Sequence, residues 1–221
     1  MYLPCHILQN ADAAMCCCRF PRLVLVVLIT QKIYYKHMIS IDIIRAVVSD
    51  MNNCFKDNEG SFSETRDIFT ARMQSYIFET KKYLEAAIIG EIGNNTFDHN
   101  FIFEDNHPRG VYCDLSYNQR YIILADYGKG IKQSLLPVIP SINSDYEALE
   151  IAFTKQISGR SPEQRGNGLK FVSESITQNN WHLYFQSGFA SCSIDRNGLS
   201  FTERENSVKG CLAILDFNAG N

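Results

Sequence analysis

The sequence predicts an α+β fold: a two-layer α/β sandwich with helices on one face of a mixed, mostly antiparallel sheet. Apolar residues recur at helical spacing from Ile41 to Phe97. Short apolar runs bounded by turn residues come next, first at Val111–Leu115 and Tyr121–Ala125, then from His182 onward. Helices and strands thus come in separate runs and not in strict alternation, which is the α+β order.

Taken in order, Ile41, Ile43, Ile44, Val47, Val48 and Met51 mark a first helix. Asn58 to Ser63 is a polar break with a glycine. Ser63-Glu64-Thr65 then opens a long helical stretch through Ile68, Met73, Ile77, Leu84, Ala87, Ile88, Ile92 and Phe97. It reads as two helices, the second from about Lys81 to Phe97. Asn106 to Gly110 is a turn, and Val111–Leu115 and Tyr121–Ala125 are strands joined by a polar turn around Asn118. Ile131 to Arg165, with three prolines, reads as a long loop holding at most a short helix near Tyr146–Phe153. Leu169 to Ile176 resumes helical spacing. His182–Gln186 and Phe189–Ile194 flank Ser187-Gly188, a hairpin signal. Asn197-Gly198 marks another turn, and Gly210–Phe217 is a closing apolar strand.

Composition bounds the function. Of 221 residues, 45% are apolar, enough for a full core. A net charge of -3, from 21 basic and 24 acidic side chains, gives no sign of the strongly basic surface of a nucleic-acid binder, so no nucleic-acid partner is expected. The eight cysteines include no C-x-x-C pair, so they read as reduced, partly buried thiols of a cytoplasmic protein. Leu23–Ile29 is far shorter than the ~20 residues that cross a bilayer, and it reads as a buried strand, so no membrane partner is expected. Residues 1–38 form an extension of undefined structure, and 39–221 the main domain.

Three motifs carry chemistry. Glu91, Asn95 and His99 are four apart and stack along one helix face, with Ile88, Ile92 and Phe97 opposite. An amide oxygen can ligate magnesium, and a carboxylate one turn away can orient or deprotonate a nucleophile. Asp126-Tyr127-Gly128-Lys129-Gly130-Ile131 directly succeeds a strand, which places a carboxylate acceptor beside two conformationally free glycines. Arg165-Gly166-Asn167-Gly168-Leu169 opens a helix, where backbone amides bind phosphate. Each motif alone also reads as ordinary capping, turn or linker chemistry. None matches the P-loop or the dinucleotide-binding glycine pattern.

The three together, in this order, resemble the Bergerat (GHKL) ATP-binding superfamily of type II topoisomerases, MutL-type mismatch-repair proteins, histidine kinases and anti-sigma-factor serine kinases. Glu91 to His99 is similar to its N box, Asp126-x-Gly128-x-Gly130-Ile131 to its first glycine box, and Gly166-x-Gly168-Leu169 to its second. The resemblance implies that Asp126 bonds the adenine amine, Asn95 ligates Mg2+, and Glu91 is the catalytic carboxylate. It implies that Gly128 and Gly130 hinge an ATP lid over Ile131–Arg165, and that Arg165, Gly166, Gly168 and Leu169 line the phosphates. His99 falls where the anti-sigma kinases carry a histidine; a structural role for it stays open. One departure is Asp98, where many histidine kinases have lysine; another is the lack of a phosphoacceptor histidine pattern around His6 or His37. The expected activity is magnesium-dependent ATP binding, with hydrolysis or phosphotransfer to a protein partner. The alternatives are an ATP-gated regulatory module with little turnover, or a fragment of a histidine kinase. A homodimer is left open.

Overall fold

A computed structural model describes residues 61–100, 110–115, 120–155 and 168–219. All of these belong to the unit His37–Asn221. The strand expected at Leu23–Ile29, the helix at Ile41–Met51, the turns at Asn106–Arg109 and around Asn118, and the Cys16–Cys18 run lie outside the described residues.

The order of elements is β1 (Phe62–Ser63), α1 (Arg66–Thr80), α2 (Tyr83–Asn95), a π-helical turn (Thr96–Asn100), β2 (Val111–Asp114), β3 (Tyr121–Asp126), α3 (Gly130–Leu135), α4 (Asp145–Thr154), α5 (Gly168–Gln178), β4 (His182–Asp195) and β5 (Gly198–Asp216). The strands form one sheet in the order β1-β2-β3-β5-β4. Every described pairing is antiparallel, so the mixed component expected of the sheet is not seen among the described residues. Helices and an antiparallel sheet make this an α+β fold. No helix of the described residues is long and apolar enough to cross a membrane.

The expected helix pair is present. Thr65 caps α1 by accepting from the Ile68 amide, and Lys81 ends it in the left-handed conformation at φ 60°. Phe69, Met73 and Tyr76 of α1 meet Ile88, Ile89 and Ile92 of α2 in the core. The two helices approach closely because Gly93 has no side chain; a Cβ there would run into the Phe69 ring. The same core takes Val111, Cys113, Ile122, Leu124, Leu183, Phe185, Ala213 and Leu215, which the strand register places on one face of the sheet. On the other face Tyr112, Tyr184, Leu212 and Ile214 are buried as well. A strand buried on both faces loses its polar alternation, which is why Cys211–Leu215 is an unbroken apolar run.

Four expectations are corrected. The polar break at Asn58–Ser63 ends in a strand, because Phe62 and Ser63 pair with Tyr112 and Val111. Ser187-Gly188 is not a hairpin turn. His182–Ser187 pairs with Cys211–Asp216 and Ala190–Asp195 with Gly198–Glu203, so β4 is one strand. Gly188, at φ 59°, sits in a bulge where the register jumps, and the turn is at Arg196-Asn197. The closing strand accordingly begins at Gly198 and not at Gly210.

The fourth correction concerns the stretch Ile131–Arg165. The short helix expected near Tyr146–Phe153 is present as α4, but the stretch before it is not all loop, because α3 occupies Gly130–Leu135. Ser144 caps α4 by accepting from the Glu147 amide at 3.0 Å, while the Glu147 carboxylate accepts from the Asn143 amide at 2.9 Å. Leu149 and Phe153 then enter the main core, with the Phe153 ring edge-on to Phe185 at 5.4 Å. Asp145 ties the helix start to the β4 bulge by accepting from the Phe189 amide at 2.9 Å. The remainder of the expected loop, residues 156–167, lies outside the described residues.

This packing sets two measurable outcomes. Phe153→Ala should lower unfolding stability by about 3–5 kcal/mol in urea titration, as for a core aromatic, whereas a free loop would lose almost nothing. Burial pushes the Cys113 and Cys192 thiols up from 9.0 to about 12. A folded-state value above the unfolded one contributes stability that is complete below pH 9 and is lost as pH rises toward 12. At about pH 8, below the ordinary thiol range, both thiols should resist iodoacetamide in the native protein and react in urea, read by peptide mass mapping.

Candidate functional site

The first motif occupies the last turn of α2 and the π turn after it. Glu91 is exposed and Asn95 half-buried, while Ile88, Ile92 and Gly93 face the core. The Asn94 side-chain oxygen is buried and has no hydrogen-bond partner among the described residues. From Thr96 the backbone bonds i to i+5, which widens the turn. The expected four-residue stacking therefore holds for Glu91 and Asn95, and His99 is shifted off their line. His99 is exposed, and its carbonyl lies 3.0 Å from the Ser134 hydroxyl of α3, which is also 2.8 Å from the Gly130 carbonyl.

Thr96 continues the buried face of α2 that carries Ile89, Ile92 and Gly93. It is 4% exposed and donates its hydroxyl to Asp126 Oδ2 at 3.0 Å. Asp126 ends β3, also 4% exposed, and its Oδ1 accepts from the Gly128 amide at 2.7 Å. The carboxylate thus closes the strand-to-helix turn and pins it to the first motif.

The glycine segment is held from the opposite strand. Gly130 has φ 77°, and a Cβ there would lie 2.8 Å from Ser187 Oγ. Ser187 accepts from the Ile131 amide at 3.0 Å and donates to the Gly210 carbonyl at 2.9 Å. Gly210, also at φ 77°, packs so closely on Asp126 that a Cβ would overlap its carbonyl oxygen. Cys211 lies beside this group, its Sγ 3.8 Å from Ser187 Oγ, and burial and then the Asp126 charge hold its thiol well above 9.0.

The third motif reaches the first. Gly168 opens α5, and a Cβ on it would overlap Glu91 Oε2. Leu169 is half-buried against the main core. Arg165 and Gly166 lie outside the described residues. Of the residues read as a site, the structure brings together Glu91 with Gly168, and Asp126 with Gly128, with Thr96 as the link between α2 and β3. Gly130 and Ile131 meet Ser187. Asp98, the residue that departs from the histidine-kinase pattern, pairs with Arg66, whose guanidinium also lies 5.8 Å from the Phe97 ring centre.

Sequence reasoning passes over Thr96, Ser187 and Gly210. Thr96 sits inside a recognised motif but has no part in its spacing argument. Ser187 reads as a turn residue, and only its pairing with Cys211 shows that it faces Asp126 across β5. Gly210 carries one usable signal, a glycine beside an apolar strand run, which marks a bulge or close backbone approach. Among the described residues, no group of three or more His, Cys, Asp or Glu could hold a metal ion. Neither a protein-family model nor a curated protein matches the chain.

The Thr96–Asp126 bond is testable on its own. Thr96→Val keeps the shape and removes the donor, so it should cost about 1.5–3 kcal/mol in chemical denaturation, the range for a bond to a charged group. Thr96→Ser should keep most of the stability. Equal stability of the Val and wild-type proteins would mean that this bond does not hold the turn.

Proposed function

We propose that this chain binds magnesium-ATP in a Bergerat-type site and hydrolyses it or passes its γ-phosphate to a protein partner. One observation supports this reading above the others. The end of α2 meets both of the other motifs, through Thr96 to Asp126 and through Glu91 to Gly168. Segments that each read as commonplace alone are therefore neighbours, which supports reading them as parts of one site.

The residues fit the nucleotide. Asp126 is a buried carboxylate, an acceptor of the kind that recognition of an exocyclic amine needs. Gly128 and Gly168 keep side chains away from both ends of the site. The fit to Mg2+ is of a particular kind. With one amide, Asn95, and one nearby carboxylate, Glu91, the protein offers too few ligands for a cage. It suits an ion that arrives on the triphosphate and keeps phosphate oxygens and waters as its other ligands. Bound magnesium would offset phosphate charge. Asn95 would orient it, and Glu91, exposed and one turn away, would take the proton of the attacking hydroxyl or water.

A second reading, the ATP-gated regulatory module, is favoured by α3 and α4. With Leu149 and Phe153 fixed in the core, less chain is free to close over a nucleotide than a lid spanning Ile131–Arg165 would supply.

Calorimetry should show ATP binding that strengthens with magnesium. GTP should bind about tenfold more weakly or worse, because it presents a carbonyl where Asp126 needs a donor. Asp126→Asn keeps an oxygen for the Gly128 amide but sets an amide nitrogen against the adenine amine. It should weaken ATP binding by about 1.5–3 kcal/mol. No heat and no thermal shift at millimolar ATP would end the ATP reading. Glu91→Ala should lower turnover by about 10²–10⁴-fold. Binding without turnover in the wild type, with any partner, would favour the regulatory module.

A further inference from the structure

The outer side of α1 carries a row of residues that the fold does not use. Phe69, Met73 and Tyr76 of this helix face the core. On the opposite side Ile68, Ala71, Ser75 and Phe78 are all exposed, Ile68 at 46% and Phe78 at 75%. Steps of three, four and three residues set them in one line, the spacing of a seam between two helices. Exposed apolar side chains are ordinary when scattered; aligned on one helix face they mark a contact surface.

The row reads alike from either end in size, and its ends are opposite in charge. Two large side chains frame two small ones. Asp67 adjoins Ile68 at one end, and at the other Lys81 lies with its Nζ 4.6 Å from the Phe78 ring centre. Neither Asp67 nor Lys81 has an ion-pair partner among the described residues. Nearly the whole of the fifteen-residue helix separates them, about 20 Å, too far for them to pair with each other.

Independently of the ATP reading, we infer that this face is where two copies of the chain meet, α1 packing antiparallel on α1 of the second copy about a twofold axis near Met73. One register satisfies the whole row. Ile68 meets the partner's Phe78, Ala71 meets the partner's Ser75, and Asp67 comes beside the partner's Lys81, each contact made twice by symmetry. The small residues in the middle let the backbones approach, and Gln74 and Glu79, both exposed, lie along the margins as a polar rim. A different partner would need no such order in the row, whereas self-complementarity is what a twofold interface demands.

Sedimentation equilibrium of the full chain tests this. Wild type should pass from monomer to dimer over about 1–100 μM protein, the weak range suited to an interface of one helix per copy. Ala71→Glu sets two carboxylates near the axis and should weaken association at least about tenfold. Because the site is exposed, its melting temperature at monomeric concentration should match wild type. Asp67→Lys should weaken association about three- to tenfold, since it turns two exposed attractions into repulsions. Adding Lys81→Asp, which the left-handed backbone there tolerates, should restore the wild-type value, a rescue that the separation forbids within one chain. A wild type that stays monomeric throughout that range, dimers unaffected by Ala71→Glu, or a double variant no better than Asp67→Lys alone overturns the inference. So does a monomeric wild type that floats with phosphatidylserine vesicles while Ala71→Glu does not, which would give the face to a lipid surface.

Discussion

The Asp126 carboxylate is the constraint on which the rest of the site depends. A charged group that is 4% exposed must be hydrogen-bonded to be tolerated, and the donors at Gly128 and Thr96 come from different parts of the chain. The Gly128 amide makes β3 turn sharply, and the Thr96 hydroxyl draws the end of α2 onto that turn. Thr96 lies at the start of the π turn Thr96–Asn100 and continues the buried face of α2 formed by Ile89, Ile92 and Gly93. Satisfying one buried charge therefore arranges two of the three motifs.

The first glycine segment and the strand framework are arranged from the other side. Ser187 holds the Ile131 amide and the Gly210 carbonyl together, and Gly210 meets Asp126 where no side chain fits. Asp145 ties the bulge beside Ser187 to the start of α4. Motion of α4 would be felt at the bulge and through it at the first glycine segment.

Much of the fold is legible in the sequence because its signals are local. Thr65 as a cap, the i, i+4 apolar positions of α1 and α2, and the turn at Arg196-Asn197, one residue before the expected Asn197-Gly198, are all set by near neighbours. Sequence and structure part where a distant partner decides the outcome. Ser187-Gly188 has the composition of a two-residue turn, and only pairing with β5 on both sides of it makes it a bulge. The run Thr202–Asn206 is too polar to read as a strand, yet it continues one. For α4 the helix near Tyr146–Phe153 is legible and Ser144-x-x-Glu147 supplies its local cap, whereas its anchoring in the core is not, because Phe153 packs on the distant Phe185. Within the site, spacing exposes Glu91, Asn95, Asp126 and the glycines, since motifs are themselves local. Thr96, Ser187 and Gly210 are not accessible that way, because each matters through what it touches across the sheet.

The placement of β5 between β3 and β4 has a consequence for how the protein comes into being. Asp126 pairs with Cys211, 85 positions later, and no earlier strand among the described residues takes that place in the sheet. On the ribosome, α1, α2 and β3 are complete long before the strand that closes them exists. Pairings this distant along the chain form slowly and leave the waiting strand edge open. The buried carboxylate must remain solvated until then. The nascent chain thus spends its most aggregation-prone interval with the surroundings of Asp126 unmade.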